Sequence, residues 1–306
     1  MAAIVGDMVE FPLVLLGLIA LVLTLFALIG WVVARSPLKR RTVERFAGRQ
    51  HLELVDANAA HVVSALLITH RWRRAGLVLG VLAGVVWSMQ DGSLTLHFLG
   101  GFLGWFVGAV IAEWRISGLD QPGTRRIAAL EPRRLSRYIT LVAVLAASLV
   151  AVVLVVTGIV AAARAGVSWA WGGWMAYSAA VTVALAVTAR AIVARPSGFA
   201  DAAVREADDA LRCHGLTVLV GSWIATAYPP IVGLALQATH PTGAPTSTDP
   251  AWTLLVMAAL ILLGWWVAVW SPSARTGREL ASAVSAQRPL EQVEQVEQVE
   301  QEATTQ

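Results

Sequence analysis

The chain has 306 residues, 57% of them apolar and only 14% charged, with a mean hydropathy of +0.66 and a formal net charge of +3. About a quarter of the residues of a soluble globular domain are charged, so this composition excludes one and predicts a multi-pass membrane protein. A single cysteine excludes an intrachain disulfide and a cysteine-rich zinc site.

The first apolar run covers 11–34. It is too long for a signal peptide, lacks a basic region before it and follows Asp7 and Glu10, so it is expected to be a retained first span. Six further runs follow at 76–89, 94–113, 139–163, 169–193, 216–236 and 252–270, for an expected all-α fold of seven spans. The segments 35–74, 114–138, 190–215 and 271–306 hold 22 of the 23 basic residues, and Arg164 alone lies on the opposite side. By the positive-inside rule the N-terminus is expected outside and the C-terminus in the cytoplasm. This orientation accounts for the basic pI of about 9.6 without nucleic acid as a partner.

Domain organisation is expected to be a membrane domain over 1–270 and an acidic, low-complexity cytoplasmic tail over 271–306. The tail's "EQVEQVEQVEQ" repeats every three residues, which matches no coiled-coil period. Three cytoplasmic segments have amphipathic character. Between His51 and Thr69 the pattern predicts a helix lying on the inner leaflet or docking a partner. Between Asp201 and Arg212 it predicts a helix with an Asp208–Arg212 pair one turn apart. In the segment between them, Arg125, Arg126, Arg133 and Arg134 are candidate contacts for anionic inner-leaflet lipid or for a protein partner.

Gly76, Gly80 and Gly84 face the same way on the second span, as do Gly100, Gly104 and Gly108 on the third. A four-residue step of small residues lets two backbones approach. Packing of the second span on the third is the first expectation, and a homo-oligomer seam the second. Of the tryptophans, Trp105 and Trp223 lie deep in their spans and are expected to pack in the core with a local hydrogen bond.

Ionisable residues inside spans are the usual carriers of membrane chemistry, and here they are few: His97, with Glu113 and Arg190 at span ends. Glu113 and Arg190 form a candidate ion pair. The only lysine, Lys39, is cytoplasmic, which excludes a retinal Schiff base. No paired intramembrane aspartates, facing histidines or nucleotide-binding glycine motif occur, so no catalytic residue, cofactor site or metal site is assigned and no enzyme activity is expected.

Within the sixth span Pro229 and Pro230 remove two backbone donors in succession. A kink or an early helix end is the first expectation there. A gating break lining a cavity, with Tyr228, Tyr177 and Thr226 beside the prolines, is the second. The pieces "TRRIAALEPRRLSRY" and "ADAAVREADDALRCHG" resemble segments of uncharacterised multi-pass membrane proteins of actinobacteria. That resemblance implies a bacterial plasma-membrane location and carries no activity or functional residue. The expected function is an accessory or scaffold subunit of a transport or envelope complex, with a permease for a neutral or hydrophobic solute as the alternative.

Overall fold

Hydrocarbon offers the backbone no hydrogen bonds, so an apolar run must satisfy its own N–H and C=O groups as a helix. A computed structural model describes residue 24 and residues 37–90, 98–118, 134–195, 201–239 and 250–270. Apart from Thr24, the first apolar run lies outside the described residues, and so do His97 and the tail.

The described residues form α1 (Arg40–Gln50), α2 (Asp56–Gln90), α3 (Phe98–Ser117), a 3-10 turn (Leu135–Arg137), α4 (Leu141–Ala165), α5 (Trp169–Ala194), α6 (Ala202–Thr226), α7 (Tyr228–Thr239) and α8 (Pro250–Trp270). No strand occurs among them. Local chemistry sets several ends. Thr140, Ser168 and Asp201 begin α4, α5 and α6 by accepting hydrogen bonds from Ala143, Trp171 and Ala203 amides at 3.3, 3.1 and 2.8 Å. Gly166 ends α4 at φ 76°, in the region that a residue with a Cβ avoids.

Four stretches are long and apolar enough to cross a membrane: Leu141–Ala165, Trp169–Ala194, Ala202–Thr239 and Ala251–Val269. The third is α6 and α7 in succession. Its apolar window is 83% buried, against 22%, 28% and 11% for the other three, so α6–α7 is the central column. The outer helices turn apolar side chains outward instead. On α4 these include Leu145, Leu149, Val152, Val156 and Ile159, which water would not tolerate as a contiguous face and lipid would.

The run expected at 76–89 is only the second half of α2, a helix of 35 residues. At 1.5 Å per residue such a helix is about 50 Å long, well beyond the roughly 30 Å of a hydrocarbon core. The helix expected between His51 and Thr69, lying on the inner leaflet or docking a partner, is the first part of α2. Residues 56–69 continue into the apolar run without a break, because no glycine or proline interrupts them and the chain itself offers them an apolar surface. Val62, Ala65 and Leu66 pack with Ala207, Ala210 and Leu211 of α6, and with Phe46 and Leu52 at and just after α1. The first part of α2 and the first part of α6 thus dock on each other.

The glycines join α2 to α3 as the first expectation has it. A Cβ built on Gly76 or Gly80 would collide with the backbone oxygen of Gly104 or Gly100, and one on Gly108 with that of Trp72. With no side chain between them, the two backbones are in direct contact along three turns. A second, shorter seam joins α6 to α8, where Gly221 and Gly264 would each collide with the other's carbonyl oxygen if they carried a Cβ.

Candidate functional site

The two seams hold α2–α3 and α6–α8 as tight pairs, and the gap between the pairs is closed at one end by α1. Small side chains face this gap, among them Thr69 of α2, Ser222 and Ala225 of α6 and Ala268 of α8. They leave a cavity of about 460 Å³, within the range that holds small organic ligands.

The cavity is divided along its length. Its deep part is apolar, with Leu77, Phe102, Trp105, Val218, Ile261 and Trp265 in the walls. Its α1 end is polar and basic, with Arg45, Arg49 and Gln50 from α1, His70 and Arg73 from α2, and His214 from α6. Phe46 fixes α1 there by packing edge-on against His214, with ring centroids 5.4 Å apart and an interplanar angle of 80°. Among the lining residues every formal charge is positive. Burial, with Arg73 and Arg74 adding to it, draws the His70 imidazole down from its ordinary 6.5 to about 4, so this ring is neutral at pH 7.

A second polar cluster lies beside the cavity, where α5 ends and α6 begins its buried course. Arg212 is fully buried, and both its Nη2 and Nε donate to Asp208 Oδ2, at 2.6 and 3.0 Å. Its Nη1 reaches the carbonyl oxygens of Ile192 and Val193 at 3.4 and 3.3 Å. These belong to the last turn of α5, where carbonyls lack helical partners and a cation is favoured. Arg195 approaches the other carboxylate oxygen at 3.2 Å, and His61 of α2 lies 4.0 Å from it. Tyr138 is stacked beneath the Arg212 guanidinium, 5.9 Å from it, and donates to Asp209 at 3.4 Å. Burial holds His61 below its ordinary value, although Asp208 opposes this. Asp208 therefore meets two guanidiniums, and the cluster locks α2, α5 and α6 together. It is a fastening for the column that forms one wall of the cavity.

The Asp208–Arg212 pair is the one expected from its spacing; the addition of Arg195, His61 and Tyr138 is not readable from sequence. The expected Glu113–Arg190 pair does not form. Arg190 is exposed on α5, two residues from the buried Thr188 and Ile192 and so on the opposite face. Glu113 is buried on α3, seated against Gly215, where an added Cβ would lie 2.5 Å from its Oε1. The cations acting on it are Arg73 and Arg195.

The proline residues and their neighbours do not line the cavity. Pro229 and Pro230 are buried at the start of α7, after a single turn residue, Ala227. Pro230 cannot donate to the Thr226 carbonyl four residues back. Tyr177 of α5 donates to that oxygen instead, at 3.2 Å, while the Thr226 hydroxyl donates to the Trp223 carbonyl at 2.8 Å. Tyr228 is half-buried beside them. The proline pair thus breaks the central column, and a tyrosine from the next helix supplies one lost hydrogen bond.

Trp223 is buried, and its indole donates to Thr182 at 3.1 Å, as expected of a deep tryptophan. Trp105 differs, because it forms part of the cavity wall. Arg134 is exposed just before the 3-10 turn; Arg125, Arg126 and Arg133 lie outside the described residues. No cluster of three or more potential metal-ligating side chains occurs among the described residues. Sequence reasoning missed the cavity because its walls come from α1 and α8, about two hundred residues apart in the chain. The only signal was the recurrence of arginine at 45 and 49, one turn apart on one helix.

Compared with protein-family models, curated proteins and solved structures, the chain matches none.

Proposed function

We propose that the protein is a non-enzymatic carrier or permease for a hydrophobic or amphiphilic small molecule in a bacterial plasma membrane, with seven spans, the N-terminus outside and the C-terminus in the cytoplasm. The observation that carries this reading is the cavity of about 460 Å³, which joins apolar walls at the depth of the spans to a basic mouth. The alternation of basic segments along the chain supports a cytoplasmic mouth, because Arg45, Arg49 and Arg73 belong to the first of those segments. For the scaffold reading, the face of residues 51–69 is covered by α6 of the same chain, and of the candidate partner contacts only Arg134 lies among the described residues.

The experiment is native mass spectrometry of the full chain purified in mild detergent, beside Val218→Phe, which puts a larger side chain in the apolar wall. A retained small molecule that Val218→Phe displaces is the expected result. A stoichiometric second protein with no small molecule would instead make the chain an accessory subunit. A transport assay in vesicles with the molecule so identified then separates a carrier from a static binding protein.

A further inference from the structure

The chemical class of the molecule can be read from the cavity wall, granting the reading above that a small molecule binds there. Two buried side chains in the wall carry polar atoms without a hydrogen-bond partner among the described residues. Arg73 is 6% exposed, and both its Nε and its Nη2 are unmatched. Gln50 is 7% exposed with an unmatched Oε1. An unmade hydrogen bond at a buried group costs about 1–3 kcal/mol, and more when the group is charged. Water admitted to the cavity would supply hydrogen bonds but would leave the Arg73 charge without a carboxylate in contact with it. Glu113 acts on Arg73 from a distance, yet the two form no ion pair, and the same carboxylate also faces Arg195. Arg45 and Arg49 add two further guanidiniums at the rim, so the wall presents three cations and no carboxylate.

We propose that the cavity binds an amphiphile with an anionic head, a phosphate or a carboxylate, which pairs with Arg73 from within and with Arg45 and Arg49 at the rim. Guanidinium matches either head in a two-point hydrogen-bonded fork. The hydrocarbon part lies along Leu77, Phe102, Trp105, Val218 and Trp265, and where the head carries a hydroxyl, as a glycerol headgroup does, that hydroxyl donates to Gln50 Oε1. Either an inner-leaflet phospholipid or a free single-chain anion supplies this chemistry.

The test titrates the delipidated full chain in detergent with palmitate, dioleoyl phosphatidylglycerol, uncharged monoolein and inorganic phosphate, and reads bound mass. The expected result is saturable one-to-one binding of an anionic amphiphile, about tenfold tighter than monoolein and about tenfold weaker in Arg73→Gln. Tighter binding of palmitate identifies a free anion, and tighter binding of phosphatidylglycerol a membrane lipid; both support the proposal. If Arg73→Gln does not fold, the exposed pair Arg45→Gln with Arg49→Gln carries the same comparison. Equal binding of monoolein and the anions, unchanged by the arginine variants but lost in Val218→Phe, overturns the anionic head and leaves the carrier reading standing. Inorganic phosphate competing as well as either amphiphile overturns the hydrocarbon part. Absence of saturable binding by any of the four overturns both readings.

Discussion

The α2–α3 seam and the α5–α6 cluster solve the same problem in opposite ways. Each holds neighbouring helices together. The seam removes side chains, so that Gly76, Gly80, Gly104 and Gly108 bring backbone against backbone. The cluster does the reverse: it buries long charged side chains, and Asp208 compensates Arg212 and Arg195. Contacts at the seam are many, weak and tolerant of a lost partner but not of an added atom. In the cluster they are few and strong, and removing one member leaves the others charged and buried.

That contrast predicts which substitutions do most harm. Asp208→Ala should have the largest effect, because it leaves two buried guanidiniums without their carboxylate, a loss of roughly 3–5 kcal/mol. Cys213, the chain's one cysteine and 1% exposed, reports it directly. Labelling of this thiol by a maleimide dye on heating should begin at a much lower temperature, if the variant accumulates at all. A midpoint equal to that of the wild type would refute the view of Asp208 as the fastening.

Gly80→Val comes next. The added atoms meet the Gly100 carbonyl, and overpacking of this kind costs about 1–3 kcal/mol, occasionally more. Gly172→Ala is the control that sharpens this result. It lies on α5 with nothing within 4 Å of its Cβ position. Replacing a helical glycine by alanine there should raise the melting midpoint, by the equivalent of about 0.5–1 kcal/mol.

A smaller effect is expected from Tyr177→Phe, which removes the donor to the Thr226 carbonyl and should cost about 1 kcal/mol. If the proline junction gates a pathway, the same variant should change transport more than stability. The last effect is the pH dependence of His70, seen only in acid. Its pKa is about 4 in the folded chain and near 6.5 when the ring is released, so the unfolded state binds the proton first. Stability is full above 6.5 and falls as the pH drops from there towards 4. His70→Asn should lessen, without abolishing, the fall of the melting midpoint in detergent between pH 7 and 4, because buried His214, drawn down to about 3, and His61, also lowered by burial, destabilise the fold in acid as well.

Two elements show why the sequence is legible in one place and opaque in another. The α2–α3 packing can be read from glycine spacing alone, since a four-residue step is a local property of two helices that follow one another closely in the chain. The Asp208–Arg212 pair is legible for the same reason, being one helical turn. By contrast, pairing Glu113 with Arg190 assumes that two charges at the same depth must meet. Rotation about each helix axis decides that, and rotation depends on packing elsewhere; Arg190 falls on the exposed face of α5. The first half of α2 likewise has an apolar stripe that fits lipid, a partner or its own chain. Only the position of α6 selects among them.

By itself the sequence determined the helical class, the places of the apolar helices that the structure describes and the small-residue seam, because hydropathy, proline and glycine act over one or two turns. Tertiary structure alone decided that α6–α7 is central, that Asp208 holds two arginines, and that α1, α2, α6 and α8 enclose a basic-mouthed cavity. Those depend on which faces of distant helices are turned towards one another, and hydrophobic burial is too unspecific in direction to write that into a local pattern.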